Sequence, residues 1–266
     1  MFLKLVSWNI NSVRLRLPLL RKLVSEINPD IICLQETKVI DDLFPLNDIL
    51  DLGFEFIEFS GEKSYNGVCI LSKFPVSSVQ KIDILGYGHK RHISVDIEVL
   101  DQKISLHNFY VPAGGDIPDI ELNDKFLHKL KFIDWMESFF LQQKNKKIII
   151  VGDMNIAPLE NDVWSHKQLL KVVSHTPIEV EKMTNLQKTL NWIDCHRLFV
   201  DEGKKLYSWW SYRARDALAS NRGRRLDHIW TTPNLKDNIK SSKIHIDFRQ
   251  EERPSDHVPI EAVFCF

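Results

Sequence analysis

Lys147-Ile148-Ile149-Ile150-Val151-Gly152-Asp153-Met154-Asn155-Ile156-Ala157-Pro158 is an apolar run that stops at a carboxylate and, two residues on, a carboxamide. An unbroken run of this kind reads as a strand buried on both faces, inside a sheet covered by helices. Ligands and chemistry gather beyond the ends of such strands, so Asp153 and Asn155 stand where a site forms. The same residues also spell a plain turn, because Gly152, Asp153, Asn155 and Pro158 are all turn formers. The remainder of the chain decides between the two.

The pattern recurs along the sequence. Residues 2–8 read as a strand running into Trp8-Asn9-Ile10-Asn11-Ser12, and residues 31–34 as a buried strand ending in Gln35-Glu36-Thr37-Lys38. Ile93, Val95, Ile97 and Val99 alternate, and residues 104–110 return as the second arm of a hairpin that leads into Tyr110-Val111-Pro112-Ala113-Gly114-Gly115. Further strands are expected at 54–59, 68–71, 225–231, 244–248 and 258–264. Pro18 opens a helix with Leu19, Leu20, Leu23, Val24 and Ile27 on one face, stopped by Asn28-Pro29. Between 121 and 142, Phe126, Leu130, Ile133, Met136 and Phe140 keep helical spacing and mark a long covering helix. Less patterned helices are expected near 46–50, 164–172 and 178–190. No linker or solenoid repeat interrupts this order, so residues 1–266 read as one domain, α/β in class, with mixed sheets and helices outside. The Asn-bearing strand ends near residues 9 and 155 hint at a duplicated half.

Hydrophobic residues at 44% and charged residues at 27% describe a globular chain without low-complexity segments. The formal charge of -1 discriminates nothing, but its distribution does. Between Gly203 and Trp230, Lys204, Lys205, Arg213, Arg215, Arg222, Arg224 and Arg225 stand against Asp216 and Asp227, a local +5 that leaves -6 elsewhere. Cys33, Cys69, Cys195 and Cys265 are widely spaced, without zinc-ligand spacing, and read as reduced core residues of a cytoplasmic protein. The N-terminal run turns polar too soon for a signal segment, and no apolar stretch approaches membrane-spanning length.

Collected, the polar strand ends offer Asn9, Glu36, Tyr110, Asp153, Asn155, Asp227 and Asp256 with His257, and no serine or cysteine in a nucleophile motif. Oxygen-rich carboxylate and amide clusters suit hard cations such as Mg²⁺ or Mn²⁺. A phosphodiester needs its charge neutralised, a water deprotonated and an alkoxide released, which a cation, a carboxylate and an imidazole supply. Each residue also has a plainer reading: Glu36 as a surface carboxylate, His257 as a strand cap, Tyr110 as an interface aromatic. His228, inside an apolar strand, reads as a satisfied core histidine. Tyr207-Ser208-Trp209-Trp210-Ser211-Tyr212-Arg213-Ala214-Arg215 and Asn221-Arg222-Gly223-Arg224-Arg225 combine cations for phosphates with planar side chains for bases. The competing reading is a tryptophan-rich core flanked by solvated arginines.

Ser7-Trp8-Asn9-Ile10-Asn11-Ser12-Val13-Arg14, Leu34-Gln35-Glu36-Thr37-Lys38, Gly152-Asp153-Met154-Asn155-Ile156-Ala157-Pro158, Trp209-Trp210-Ser211-Tyr212-Arg213, Asn221-Arg222-Gly223 with Leu226-Asp227, and Pro254-Ser255-Asp256-His257-Val258-Pro259 together resemble the exonuclease III/AP endonuclease family, from residue 3 to residue 264. The resemblance implies a four-layered sandwich of two packed mixed β-sheets flanked by helices, the endonuclease/exonuclease/phosphatase-type fold. It implies that Glu36 binds a divalent metal with Asn9 and Asp256 close by, and that Asp153 and Asn155 hold a second or moving ion. By the same likeness Asp153 deprotonates or orients the water, Asn155 fixes it, Tyr110 meets the scissile phosphate or leaving oxygen, and His257, oriented by Asp227, bonds the phosphate. Whether His257 or Asp153 is the base stays open. Asn11, Lys38, Arg91, Arg213 and Arg222 are implied on the DNA, with Trp209 and Leu226 near an extruded abasic sugar. One departure is Ala113, where the family often has Asn after Tyr-Val-Pro.

The implied function is a Mg²⁺-dependent DNA repair nuclease, with Mn²⁺ as the other candidate ion. It cleaves 5′ to abasic sites and trims nucleotides or blocking groups from 3′ ends of duplex DNA. The expected setting is a monomer in the bacterial cytoplasm, associated with the nucleoid through DNA and not with a membrane. The alternatives are a phosphatase or phospholipase of the same fold, or a DNA-binding module without catalysis.

Overall fold

The structure is a computed structural model that describes residues 1–213 and 216–266, and Leu218 through its backbone. One sheet contains β1 (Phe2–Asn9), β2 (Ile31–Gln35), β3 (Phe56–Ser60), β4 (Val68–Ser72), β11 (Ile239–Ile244) and β12 (Ile260–Cys265), in the order β11-β12-β1-β2-β4-β3. The other contains β5 (Val76–Gln80), β6 (His92–Val99), β7 (Gln102–Tyr110), β8 (Ile148–Asp153), β9 (Ile193–Asp194) and β10 (Asp227–Thr231), in the order β5-β6-β7-β8-β10-β9. Each sheet has a parallel pair at its centre, β1 with β2 and β7 with β8, and antiparallel partners outside. In each, the central strand that leads to an asparagine of the site, β1 to Asn9 and β8 to Asn155, lies between one parallel and one antiparallel neighbour.

Three apolar layers follow from the two-residue alternation of strands. Leu3 and Leu5 of β1, Ile31 and Cys33 of β2, Val95 of β6, Leu106 of β7 and Ile149 and Val151 of β8 meet between the sheets. Val6 and Trp8 face outward onto Leu20 and Leu23 of α1 (Leu17–Ile27). Ile148 and Ile150 face outward onto Ile133, Met136 and Phe140 of α3 (Asp124–Leu141), beside Met183 and Leu186 of α5 (Pro177–Thr189). Burial of each such side chain contributes about 1.5–3 kcal/mol. The expected four layers, helix, sheet, sheet, helix, are thus present. The shorter helices α2 (Leu46–Leu50), α4 (His166–Leu169) and α6 (Ala217–Ser220) lie in the connections.

The alternation that puts Ile149 and Val151 between the sheets puts Asp153 there too, and in β1 it does the same for Asn9. Gly152 makes this possible: at φ +136°, an added Cβ would lie 1.9 Å from the carbonyl oxygen of Phe109.

Some expected boundaries move. The strand expected at 244–248 is instead β11, ending at Ile244, followed by a 3-10 turn at Ile246–Gln250. β11 is an edge strand with mostly solvated side chains, so its apolar pattern is too thin to read. The helix expected near 164–172 is the single turn α4, and α3 begins at Asp124, where the Asn123 side chain accepts from Lys125 N–H. The edge strand β5 and the two-residue β9 carry no period that sequence reveals. All four cysteines are free thiols, with Cys33, Cys69 and Cys195 buried. Among the described residues no helix is long and apolar enough to cross a membrane.

Candidate active site

The ends of β1, β2, β7, β8 and β10 meet the loop before β12 in one buried polar network. Asn9, without accessible surface, donates from Nδ2 to Glu36 Oε1 at 3.0 Å and Asp153 Oδ2 at 2.9 Å, while its Oδ1 accepts Asn11 N–H at 3.1 Å. The Tyr110 hydroxyl donates to Glu36 Oε1 at 2.5 Å, and the Lys38 ammonium lies 2.7 Å from Glu36 Oε2. Burial pushes the Glu36 carboxyl up, but Lys38, Asn9 and Tyr110 outweigh it and hold it below its ordinary range, so it is ionised. Tyr110 is pushed well above its ordinary value by burial and by Glu36 and Asp153, and keeps its proton.

Asp153 accepts Asn155 N–H at 2.9 Å on Oδ1, and on Oδ2 the amides of Asn9 and Asn155, the latter at 3.1 Å. Asn155 stands at φ +52° and donates its side-chain amide to Val111 O at 2.9 Å as well, so its Oδ1 is uncommitted among the described residues. Burial raises Asp153 to about 7 against the opposing pull of His257. His257 Nε2 lies 3.6 Å from Asp153 Oδ2, and its Nδ1 donates to Asp227 Oδ2 at 2.8 Å. Ser208 Oγ donates to that same Asp227 oxygen at 2.6 Å and accepts the N–H groups of Leu226 and Asp227, fixing the carboxylate. Burial lowers His257, but Asp227, Asp153 and Asp256 prevail and raise it to about 10, so the ring is an imidazolium with Nε2–H facing Asp153.

The structure therefore brings Asn9, Glu36, Tyr110, Asp153, Asn155, Asp227 and His257 into one network. Asp256 stands beside it, taking Asn11 Nδ2 and Trp209 Nε1 at 3.0 Å each, and Lys38 links Asn11 Oδ1 at 2.7 Å to Glu36. An open cleft of about 720 Å³ lies over the network, lined among others by Glu36, Tyr110, Ala113, Asn155, Trp209, Arg213, Arg222, Leu226, Asp256 and His257. Arg213 and Arg222 are exposed there, with the Arg222 guanidinium 4.9 Å from the Trp164 ring.

Other positions differ from expectation. Arg91 is 3% exposed, donates to Tyr110 O at 3.2 Å and lies over the Tyr65 and Tyr110 rings, so it presents no open cation to a phosphate. Within the +5 segment, Arg225 is buried between Asp162 and Asp194, and Arg224 is tied to Val173 O and Ser174 Oγ. Tyr207 and Trp210 are core residues. The basic stretch thus contains a wholly structural Arg225, a tethered Arg224 that also lines the cleft, and the exposed cleft arginines Arg213 and Arg222, and Ala214 and Arg215 lie outside the described residues. His228 is a buried core histidine as expected, but only half satisfied: its Nε2 lies 3.0 Å from Ile156 O, while its Nδ1 has no hydrogen-bond partner among the described residues. Sequence reasoning missed Ser208, although it stands one residue before Trp209, and Trp164.

Asp153, Asp227 and His257 each bring a ligand atom within 4.8 Å of the others. His257 Nδ1 and Asp227 Oδ2 are spent on each other, however, and the oxygens of Asn9 and Asp256 are occupied by Asn11 and Trp209. Glu36 Oε2 already faces a cation in Lys38, the buried Asp227 Oδ1 has no partner among the described residues, and Asn155 Oδ1 is open. That oxygen donor set fits a hard divalent ion.

Two packed mixed sheets whose strand ends hold a carboxylate, amide and imidazolium network define a phosphoester hydrolase. Residues 6–257 match the model of the endonuclease/exonuclease/phosphatase family, and the chain belongs to that family. It is 30% identical to exodeoxyribonuclease III of Haemophilus influenzae, over 98% of this chain and 100% of that protein. It is 28% identical to an exodeoxyribonuclease of Bacillus subtilis, over 98% of this chain and 99% of that one. An AP endonuclease from Archaeoglobus fulgidus superposes with a TM-score of 0.90 at 30% identity, covering 99% of this chain and 100% of the other. A Neisseria 3′ phosphatase bound to a product DNA hairpin also gives 0.90, at 28% identity and the same coverage.

Proposed function

We propose that this protein is a divalent-metal-dependent DNA repair nuclease that cleaves phosphodiesters 5′ to abasic sites and removes nucleotides or blocking groups from 3′ ends of duplex DNA, with Mg²⁺ as its ion and a cytoplasmic monomer as its working form. The single observation that carries the reading is the buried Asp153–His257–Asp227 alignment opening into a cleft with exposed Arg213 and Arg222. Full-length relatives that are exodeoxyribonucleases, and a structural neighbour that is a 3′ phosphatase solved with product DNA, support it over a phosphatase or phospholipase of the same fold acting on inositol phosphates or lipids and over a binding module without catalysis.

Glu36, with Asn155 Oδ1 and the carboxylates around them, would hold the ion in place of the Lys38 ammonium, while Asn9 orients Glu36 and Asp153. When bound, the ion supplies charge neutralisation to the phosphate and the departing oxygen. Asp153 takes the proton of the attacking water, with a carboxyl raised toward neutrality, as suits a base working there. Asn155, held by Asp153 and Val111, fixes that water. His257 is the donor, not the base: its Nε2–H, which faces Asp153 beneath the cleft that His257 lines, is the proton offered to a phosphate oxygen of bound substrate, a bond that strengthens as charge builds in the transition state. Tyr110, a protonated phenol, donates to the scissile phosphate or leaving oxygen. Arg213 and Arg222 neutralise backbone phosphates, and Trp209 with Leu226 forms an apolar wall for an abasic sugar, which flips out at little cost because it lacks a stacked base.

The test is incision of an abasic duplex across a Mg²⁺ titration by wild type and Glu36→Gln. The variant is expected to lose activity most at limiting Mg²⁺; absence of wild-type incision, or a loss independent of Mg²⁺, contradicts the reading.

A further inference from the structure

The loop from Asp83 to Arg91 is built around two left-handed glycines, Gly86 at φ +72° and Gly88 at φ +75°, with Leu85 also at φ +67°. Ile84 anchors one end in the core, and both carboxylate oxygens of Asp83 accept Gly88 N–H, at 3.0 and 2.9 Å. The backbone is thus fixed so as to raise Tyr87, which is 55% exposed. Its ring sits 4.4 Å from His128 of α3 and 6.0 Å from His89, the latter within 22° of parallel. His89 meets His128 at 5.6 Å and the edge of the half-exposed Tyr65 at 6.1 Å, and His89 Nδ1 is buried without a partner among the described residues. Four rings therefore form one surface, most of whose open area belongs to tyrosine.

This surface adjoins the active site through one side chain. The Arg91 guanidinium lies 5.6 Å from the Tyr65 ring and 4.6 Å from the Tyr110 ring, and Tyr110 holds Glu36. We propose that Tyr87, His89 and His128, with Tyr65 at their edge, are a stacking site for unpaired nucleotides of the strand that flanks the scissile phosphate. The proposal rests on the nuclease reading and names a substrate feature that reading leaves out.

The ligand class follows from the chemistry of the surface. Planar π-faces bind nucleobases irrespective of sequence, because every base has such a face. Burial, Arg91 and His89 lower His128 to about 4, so it offers a neutral ring where a charged one would select phosphate. The exposed Lys90 of the same loop is left to meet the backbone of that strand. Bases within a duplex are paired and stacked on one another, so only a frayed end or single-stranded tail can fill the site. Tyr87 lies outside the catalytic network, and its exposure means that truncation leaves the core intact.

The experiment uses full-length protein with EDTA and two DNA hairpins, one blunt and one carrying a short single-stranded tail with 2-aminopurine. Tyr87→Ala is expected to weaken binding of the tailed hairpin about tenfold or more and to abolish quenching of the 2-aminopurine, leaving the blunt hairpin unaffected. Tyr87→Phe, which keeps the π-face, is expected to bind like wild type. Wild-type affinity of Tyr87→Ala for both hairpins, or an equal loss for both, overturns the stacking site alone. Wild-type protein that binds neither hairpin overturns the nuclease reading with it.

Discussion

Lys129 Nζ, on the buried face of α3, donates to the backbone carbonyl of Asn155 at 2.8 Å. It also reaches Ala113 O at 3.2 Å and Glu179 Oε1 at 2.5 Å, and neither Lys129 nor Glu179 has accessible side-chain surface. Glu179 in turn accepts the N–H groups of Ser174 and Thr176 at the start of α5. A buried cation thus clamps the loop that carries Asp153 and Asn155 to two helices, and holds Asn155 in its left-handed conformation. Lys129→Met is expected to cost about 3–5 kcal/mol of stability, because it leaves a carboxylate buried alone. Lys129→Met with Glu179→Gln removes that charge and is expected to recover much of the stability while kcat stays about ten- to a hundredfold low with little change in KM. A stable double variant with wild-type kcat contradicts the positioning role.

Asp227 makes His257 an imidazolium, and the prediction concerns that proton. In metal-free protein the His257 ring is expected to stay protonated through neutral pH. In Asp227→Asn, loss of the neighbouring charge brings its pKa down from about 10 toward the ordinary histidine value. An NMR titration of the ring signals reads this directly. A ring that remains protonated at the same pH in the variant refutes Asp227 as the cause.

His92 and His107 are buried against each other on the outer face of the second sheet, Nε2 to Nδ1 at 3.1 Å. Burial holds His92 well below its ordinary value and lowers His107 to about 3. Both are neutral in the fold and charge on unfolding, so the stability they contribute is complete above about pH 6.5 and is lost as pH falls below it, at up to about 1.4 kcal/mol per pH unit for each ring. Urea unfolding of wild type and His107→Asn from neutral to mildly acidic pH is expected to give the variant the shallower decline; equal slopes exclude His107 as a source.

The arginines of the basic segment are expected to separate into two kinds. Arg225→Met leaves Asp162 and Asp194 poorly compensated and is expected to lower stability by about 3–5 kcal/mol. Arg222→Ala is expected to leave thermal unfolding unchanged, weaken DNA binding and reduce the salt slope by about one unit. An unchanged salt slope removes Arg222 from the phosphate contacts.

Much of this molecule is legible in local sequence, for reasons visible in particular residues. Ile148–Asp153 is fully buried, so its apolar run had nothing to interrupt it, and the carboxylate at its end stood out. Asn9 and Tyr110 follow because each ends a strand, and Glu36 because it comes directly after one, whereas Asp227 opens β10. Edge strands escape: β5 and β11 pair along one side and expose most of their side chains, so no period marks them. Long-range partners escape as well. Lys129, Glu179 and Ser208 carry no local signal of their roles, Arg225 reads as a nucleic-acid cation, and only the packing of distant segments gives each its role. Arg91 shows the reverse, a cation assigned to DNA that the fold instead lays between two tyrosine rings.

The central claim is that Asp153 handles the attacking water at the end of β8. Single-turnover cleavage of an abasic duplex in Mg²⁺ by wild type and Asp153→Ala, with DNA affinity measured in parallel, tests it most directly. The expected result is a chemical step slowed by at least about a hundredfold with DNA affinity retained. Cleavage by Asp153→Ala at the wild-type rate contradicts it.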